Sequence, residues 1–150
     1  MTNRKIRDFA SALERLDTRW RKTPPVRVEW YKPPRRDTLP LLRYSVNPRK
    51  TMILKVMVLP AGSEGPTLIS VALFRIDGRF MFDTTFDLDD AEKATAWLQR
   101  LFADESVVEV AEKNGEWAGS SCGRRDGSLP GLNVDSAYTR SWLGGHDAPE

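Results

Sequence analysis

Two runs rich in β-branched and aromatic residues, TLISVALFRI and RFMFDTTF, lie on either side of Asp77-Gly78. An Asp-Gly pair between such runs is a strong signal for a β-hairpin, because both central residues of a type I′ turn need a positive φ. The pattern predicts two neighbouring antiparallel strands joined by a two-residue turn, with Ile76 opposite Arg79. The period of two in the second strand puts four side chains on one face, where the aromatic ones are expected to be sheet core rather than a ligand platform: Phe80, Phe82, Thr84 and Phe86.

Three runs before this hairpin also have the period of β-strands. They are VRVEWY (26–31), LLRYSV (41–46) and MILKVMVL (52–59). The third run is apolar on both faces except at Lys55, which is typical of a central strand. In the first run, Trp30 alternates with Val26 and Val28, so we expect Trp30 to belong to the core.

Two helices are predicted from apolar residues at spacings of three and four. The first covers residues 3–20, and its apolar stripe consists of Ile6, Phe9, Leu13, Leu16 and Trp20. The second begins after Asp89, an N-cap residue with Glu92 three positions later in a capping-box-like arrangement. It continues to about residue 103, and its stripe consists of Ala94, Trp97, Leu98, Leu101 and Phe102.

A final hairpin is predicted at Lys113-Asn114-Gly115, between VVEVAE and Glu116-Trp117-Ala118. Because consecutive strands with short connections pair antiparallel, the elements together favour an α+β fold. We expect a two-layer sandwich with a mainly antiparallel sheet of five to seven strands and two main helices. Residues 1–118 are expected to form a single domain. Residues 119–150 are a Gly- and Ser-rich C-terminal extension, either docked by a short helical turn over Ala137–Leu143 or loose.

Composition excludes several classes of protein. The 150 residues are 40% hydrophobic, which is enough for a substantial core. The sequence contains no run of about 18 apolar residues, so we expect no membrane span. The charged N-terminal segment lacks the apolar stretch of a secretory signal. The single cysteine, Cys122, excludes an internal disulfide and a Cys-rich zinc site, and we expect a reducing, cytoplasmic location.

The sequence contains little that suggests catalysis. His146, the single histidine, follows Gly-Gly near the end of the sequence, where a solvated side chain is more typical than a catalytic one. The loop SSCGRRDGS (120–128) holds two arginines but matches no phosphate-binding motif. Four aspartates offer oxygen ligands for Mg²⁺, although the last two are explained by the helix that follows: Asp83, Asp87, Asp89 and Asp90. We therefore expect no enzymatic activity, metal or cofactor. A metal-dependent enzyme that uses the aspartates of 83–90 ranks third, after the two binding hypotheses described below.

Positive charge is concentrated in the first third of the sequence. Residues 1–55 contain 15 Lys and Arg against 5 Asp and Glu, whereas residues 56–150 contain 8 against 16. Such segregation indicates an anionic partner for the basic portion, unless the fold brings the two portions together and the charges pair.

The most basic and aromatic segment is residues 24–40, PPVRVEWYKPPRRDTLP. Proline-flanked segments hold side chains outward at low entropic cost, arginine binds phosphate with two hydrogen bonds, and aromatic rings stack on unpaired bases. We expect the turn NPRK, which follows the 41–46 strand, to lie near the loop that carries Lys32, Arg35 and Arg36. The residues predicted to contact a partner are Arg27, Tyr31, Lys32, Arg35, Arg36, Arg43, Arg49 and Lys50.

Two hypotheses for function follow from this surface. In the first, the protein is a non-enzymatic binding module whose basic, aromatic N-terminal surface contacts a polyanion, namely the backbone of a nucleic acid. In the alternative, it is an adaptor, inhibitor or immunity-type protein that uses the same surface against an acidic protein partner, because Tyr, Trp and Arg are enriched at protein interfaces. Neither hypothesis involves a membrane, and the sequence does not indicate an oligomeric state.

Overall fold

The structure is a computed structural model and describes residues 2–19, 27–31, 42–59, 66–123, 136–145 and 147. Within these residues it contains two α-helices, α1 (Thr2–Arg19) and α2 (Ala91–Phe102), and a 3₁₀ turn at Leu88–Asp90. Neither helix has the length and apolar character needed to cross a lipid bilayer. The strands are β1 (Arg27–Tyr31), β2 (Leu42–Val46), β3 (Met52–Leu59), β4 (Leu68–Arg75), β5 (Phe80–Asp87), β6 (Val107–Lys113), β7 (Glu116–Gly123) and β8 (Ser136–Ser141).

The strands form two antiparallel sheets. The first has the order β1-β2-β3-β4-β5, and the second has the order β7-β6-β8. The predicted α+β class with antiparallel pairing is therefore confirmed, and β3 occupies the predicted central position. The strands are divided between a five-stranded and a three-stranded sheet, whereas the sequence pattern predicted one sheet.

The inner face of the five-stranded sheet carries the core. Along β3 the buried side chains alternate, and the inner ones are Met52, Leu54, Val56 and Val58. They form one apolar cluster with the predicted stripe of α1, from Ile6 to Leu16, and with buried residues of α2. Phe82 of β5 stacks on Trp97 of α2 with ring centroids 6.2 Å apart. Both helices therefore pack on this face, and each buried large apolar side chain contributes about 1.5–3 kcal/mol.

The segment after residue 118 contributes to this core. Residues 119–123 continue β7, and β8 pairs with β6 on its other side. Tyr138 and Trp142 are buried, and the Trp142 ring lies 5.0 Å from that of Phe102 at the end of α2. The predicted helical turn over 137–143 is wrong, because the backbone groups of residues 136–141 are used in strand pairing.

The two predicted hairpins have different turns. Asn114 and Gly115 both have positive φ, with Lys113 paired to Glu116, so the predicted Asn-Gly turn is confirmed. At the other hairpin, Arg75 N donates to Arg79 O (2.7 Å) and Gly78 N donates to Arg75 O (2.9 Å). The loop therefore contains three residues, 76–78, with Gly78 at φ 93°. The predicted two-residue turn is therefore wrong. A three-residue loop that ends in a left-handed glycine is the next most common way to join two hairpin strands.

A β-bulge changes the facing of the next aromatic residue. Leu73 pairs with Phe82 and Phe74 pairs with Phe80, so Met81 is an extra residue on β5. The insertion shifts the alternation by one, which puts Phe80 on the outer face beside Phe74 while Phe82 stays inside. The prediction that Phe80 shares a face with Phe82 and Phe86 is therefore wrong.

The chain enters α2 through the 3₁₀ turn. Asp87 is the capping residue, because its Oδ1 accepts a hydrogen bond from Asp89 N (3.0 Å). The predicted cap at Asp89 is wrong, and Asp89 instead forms an ion pair with Lys5 of α1.

Asn47, at the end of β2, connects distant parts of the chain through its buried side chain. Its Oδ1 accepts hydrogen bonds from Thr51 N (2.8 Å) and Met52 N (2.9 Å), which closes the turn between β2 and β3. Its Nδ2 donates to the carbonyl oxygen of Trp142 (3.0 Å), the residue that directly follows β8. One amide therefore links the five-stranded sheet to the segment that follows the three-stranded sheet.

We expect Asn47→Ala to lower the free energy of unfolding by about 2–3 kcal/mol, because it leaves buried backbone groups unpaired. Urea denaturation measures this change. Ser11→Ala, at an exposed position of α1, is the control and should change stability by no more than about 0.5 kcal/mol. Equal stabilities for the two variants would contradict the linking role of Asn47.

Candidate functional site

Of the eight residues predicted to contact a partner, five lie among the described residues and three do not. Arg27 and Tyr31 are the first and last residues of β1. Lys32, Arg35 and Arg36 lie outside the described residues, so their predicted role stays a prediction. The other three are Arg43, Arg49 and Lys50.

Arg43 does not form part of an accessible surface. Its side chain is 0% exposed and lies on the inner side of β2, where it pairs across from Val56 of β3. Ser45, two residues later, is buried on the same side. A fully buried guanidinium cannot contact a partner, so we correct the prediction for Arg43.

Arg49 and Lys50 are exposed on the turn between β2 and β3. The Arg49 side chain packs against Gly144, where an added Cβ would lie 2.5 Å from Arg49 Cδ and where φ is +82°. Among the described residues, neither cation forms an ion pair. We refer to Arg49 and Lys50 as the basic turn.

The basic turn lies at one end of the sheet, and the end of β1 lies at the other. Val46 pairs with Arg27, whereas Leu42 pairs with Tyr31. The four-residue step along these strands corresponds to about 13 Å. The basic turn therefore adjoins Arg27. Its predicted proximity to the loop of Lys32, Arg35 and Arg36 stays a prediction, because that loop lies outside the described residues.

Other cations at this end of the sheet are paired with carboxylates. Ile76 N donates to Thr51 O (3.1 Å), so the loop at 76–78 adjoins the basic turn. On either side of this loop, Arg75 and Arg79 both approach Asp77, at 3.5 and 3.8 Å. Arg75 also lies 3.8 Å from Glu112. The basic turn is thus more available to an external anion than these two arginines are.

The outer face of the five-stranded sheet carries a group of aromatic side chains. The rings of Phe74 and Phe80 lie 5.9 Å apart, and those of Phe80 and Trp117 lie 5.2 Å apart, both edge to face. Lys55 of β3 places its Nζ 4.5 Å from the Phe74 centroid and 5.2 Å from the Tyr44 centroid. We call these five residues the outer aromatic row.

Most of this row is not recognisable from the sequence. The sequence pattern predicts Phe80 as sheet core, because a bulge has no clear signal in the sequence. Trp117 follows the Asn-Gly turn and was interpreted as ordinary strand. Its 48% exposure depends on how β7 packs beside β5, which local periodicity does not report.

A groove of about 490 Å³ lies between α1 and α2. Phe9 and Leu88 line it with apolar surface, and Asp8 and Glu92 add exposed carboxylates. The ion pair with Asp89, by hydrogen bonding and by charge, raises the pKa of Lys5 above its usual value. With this lysine paired and carboxylates at its rim, the groove disfavours an anionic ligand.

Acidic and thiol groups that could support chemistry differ, among the described residues, in their positions and surroundings. The described part of the chain includes no group of three His, Cys, Asp or Glu side chains placed to hold a metal ion. Asp87 caps the 3₁₀ turn. Burial raises the pKa of the Cys122 thiol to about 12, although Arg100 opposes this shift. A thiol with such a pKa is a poor nucleophile at neutral pH.

No protein-family model matches this chain, and neither the curated proteins nor the solved structures include a significant match.

We expect Cys122 to react slowly with iodoacetamide at pH 8, because its raised pKa leaves almost no thiolate. The labelling rate should continue to rise as the pH is raised above the pKa of an ordinary thiol. Mass spectrometry of the native protein, compared with the protein in guanidinium chloride, measures the difference. Native labelling as fast as that of the unfolded chain would contradict the burial of this thiol.

Proposed function

We propose that this protein is a non-enzymatic binding module that contacts a polyanion, namely the phosphate backbone of a nucleic acid. The observation that supports this most directly is the basic turn, which exposes two cations without ion pairs among the described residues. Arg27 adjoins it through the β1–β2 register. Tyr31, Lys32, Arg35 and Arg36 complete the proposed contact set, and the free cysteine favours a reducing, cytoplasmic setting.

Phosphate recognition at the basic turn requires charge and geometry. Arginine can make two parallel hydrogen bonds to a phosphate, whereas lysine acts as a compact point charge. The Asn47 side chain closes the turn from inside, so the two cations are displayed on a fixed backbone. Each phosphate contact releases counterions, which makes the affinity fall steeply as salt concentration rises.

A second candidate function is an adaptor, inhibitor or immunity-type protein that binds an acidic protein partner. Three large apolar side chains favour this alternative, since they are exposed by 43%, 51% and 48%: Leu59, Ile76 and Trp117. Exposed apolar residues beside cations are typical of protein interfaces. The two functions differ in their dependence on phosphate, which the following experiment tests.

We expect the double variant Arg49→Glu, Lys50→Glu to weaken binding of a fluorescent oligonucleotide of about 20 nucleotides roughly tenfold or more at about 50 mM salt. The loss follows from removing two phosphate contacts and adding repulsion. Fluorescence anisotropy across a salt series measures both the affinity and its salt dependence.

The matched control is Arg4→Glu, Arg7→Glu, which makes the same charge change at exposed positions of α1. It should change the affinity less than about threefold, because surface charges remote from the site are screened by salt. Equal losses in the two double variants would show that net charge alone is responsible. No binding of any oligonucleotide or of heparin would contradict the proposed function and favour the protein-binding alternative.

A further inference from the structure

The β-bulge in β5 turns an aromatic side chain away from the core. With regular pairing, Phe80 would lie on the inner face with Phe82, but the extra residue Met81 takes the inner position and is fully buried. Phe80 instead contacts Phe74 and Trp117 on the outer face. Bulges that redirect a side chain are common beside binding sites.

The indole N–H of Trp117 is hydrogen-bonded within the protein although the residue is exposed. Its indole N–H donates to the Met81 carbonyl oxygen and to Ser120 Oγ, both at 3.1 Å. An exposed tryptophan commonly keeps its N–H in water. Here that group is satisfied internally while 48% of the residue stays exposed, so the ring is presented in a fixed orientation.

The charged residues near the outer aromatic row favour an anionic ligand on its β3 side and disfavour one on its β5 side. Lys55 brings a cation between the rings of Tyr44 and Phe74. The basic turn directly precedes β3, and the strand from Met52 to Lys55 spans about 10 Å. Asp83 lies on the outer side of β5, across from Ala72, and its exposed carboxylate repels phosphate there. The phosphate backbone of a bound nucleic acid is therefore directed toward β3 and the basic turn.

We infer that the outer aromatic row stacks unpaired bases, and hence that the polyanion is single-stranded nucleic acid; this inference rests on the proposed function. Unpaired bases expose their faces and can stack on aromatic side chains whatever their sequence, whereas the bases of a duplex are already stacked on each other. The row supplies rings in fixed orientations, and Lys55 with the basic turn supplies cations for the phosphates between the bases.

The test compares a fluorescent oligo-dT strand with a duplex hairpin of equal charge, by anisotropy at low salt. We expect the native protein to prefer the single strand, and Trp117→Leu and Phe80→Leu each to weaken single-strand binding roughly tenfold. Neither variant should change binding of the duplex or of heparin. Asp83→Asn should strengthen single-strand binding by about threefold.

Phe82→Leu is the matched control, because it makes the same change on the inner face of the same strand. It should lower the melting temperature and leave the affinity of the folded protein unchanged. Equal binding of single strand and duplex, or losses for Phe82→Leu as large as those for Phe80→Leu, would overturn the inference while the proposed function stands. No binding of strand, duplex or heparin would overturn both.

Discussion

Both helices pack on one face of the five-stranded sheet, and the rest of the structure depends on this one-sided packing. The inner face is buried from β3 to β5 beneath α1 and α2. The outer face still carries apolar side chains, such as Ile53, Met57 and Phe74, which are only partly buried. Antiparallel sheets commonly have one solvated, polar face, and the proposed function gives this apolar outer face a role in binding.

The basic turn is held in place by hydrogen bonds from inside the molecule. Asn47 closes that turn and bonds to the Trp142 carbonyl oxygen. Asp104, just after α2, accepts hydrogen bonds from the backbone N–H groups of Leu143 and Gly145 (2.9 and 3.2 Å). The segment after β8 is thus held against both the turn and the helix. A site that is ordered before binding loses less entropy when the ligand arrives.

The sequence predicted the parts of the fold that depend on local pattern. The apolar stripe of α1 from Ile6 to Leu16, the central position of β3 and the turn at Asn114-Gly115 all follow from spacing and residue type, and all are present. Trp20, predicted to extend that stripe, lies outside the described residues. Features that depend on pairing between strands were not predictable. The bulge at Met81 changes which side Phe80 faces, and the burial of Arg43 depends on the register that puts it on the inner side of β2.

The same distinction applies to the candidate site. Arg49 and Lys50 were predictable because exposed cations in a turn need no tertiary information. The outer aromatic row was not, because its members come from five strands of two sheets and meet only after the strands have their final register: Tyr44, Lys55, Phe74, Phe80 and Trp117. Residues that are close in space but distant in sequence are recognised through topology rather than through spacing.

The most direct test of the account is a nuclear magnetic resonance titration of the ¹⁵N-labelled protein with a short single-stranded oligonucleotide. The account predicts that the indole resonance of Trp117 and the amide resonances of β3, β4 and the basic turn shift together, with little change in α1. Shifts confined to α1 and α2, or no shifts at saturating oligonucleotide, would contradict the assignment of the outer face as the binding surface.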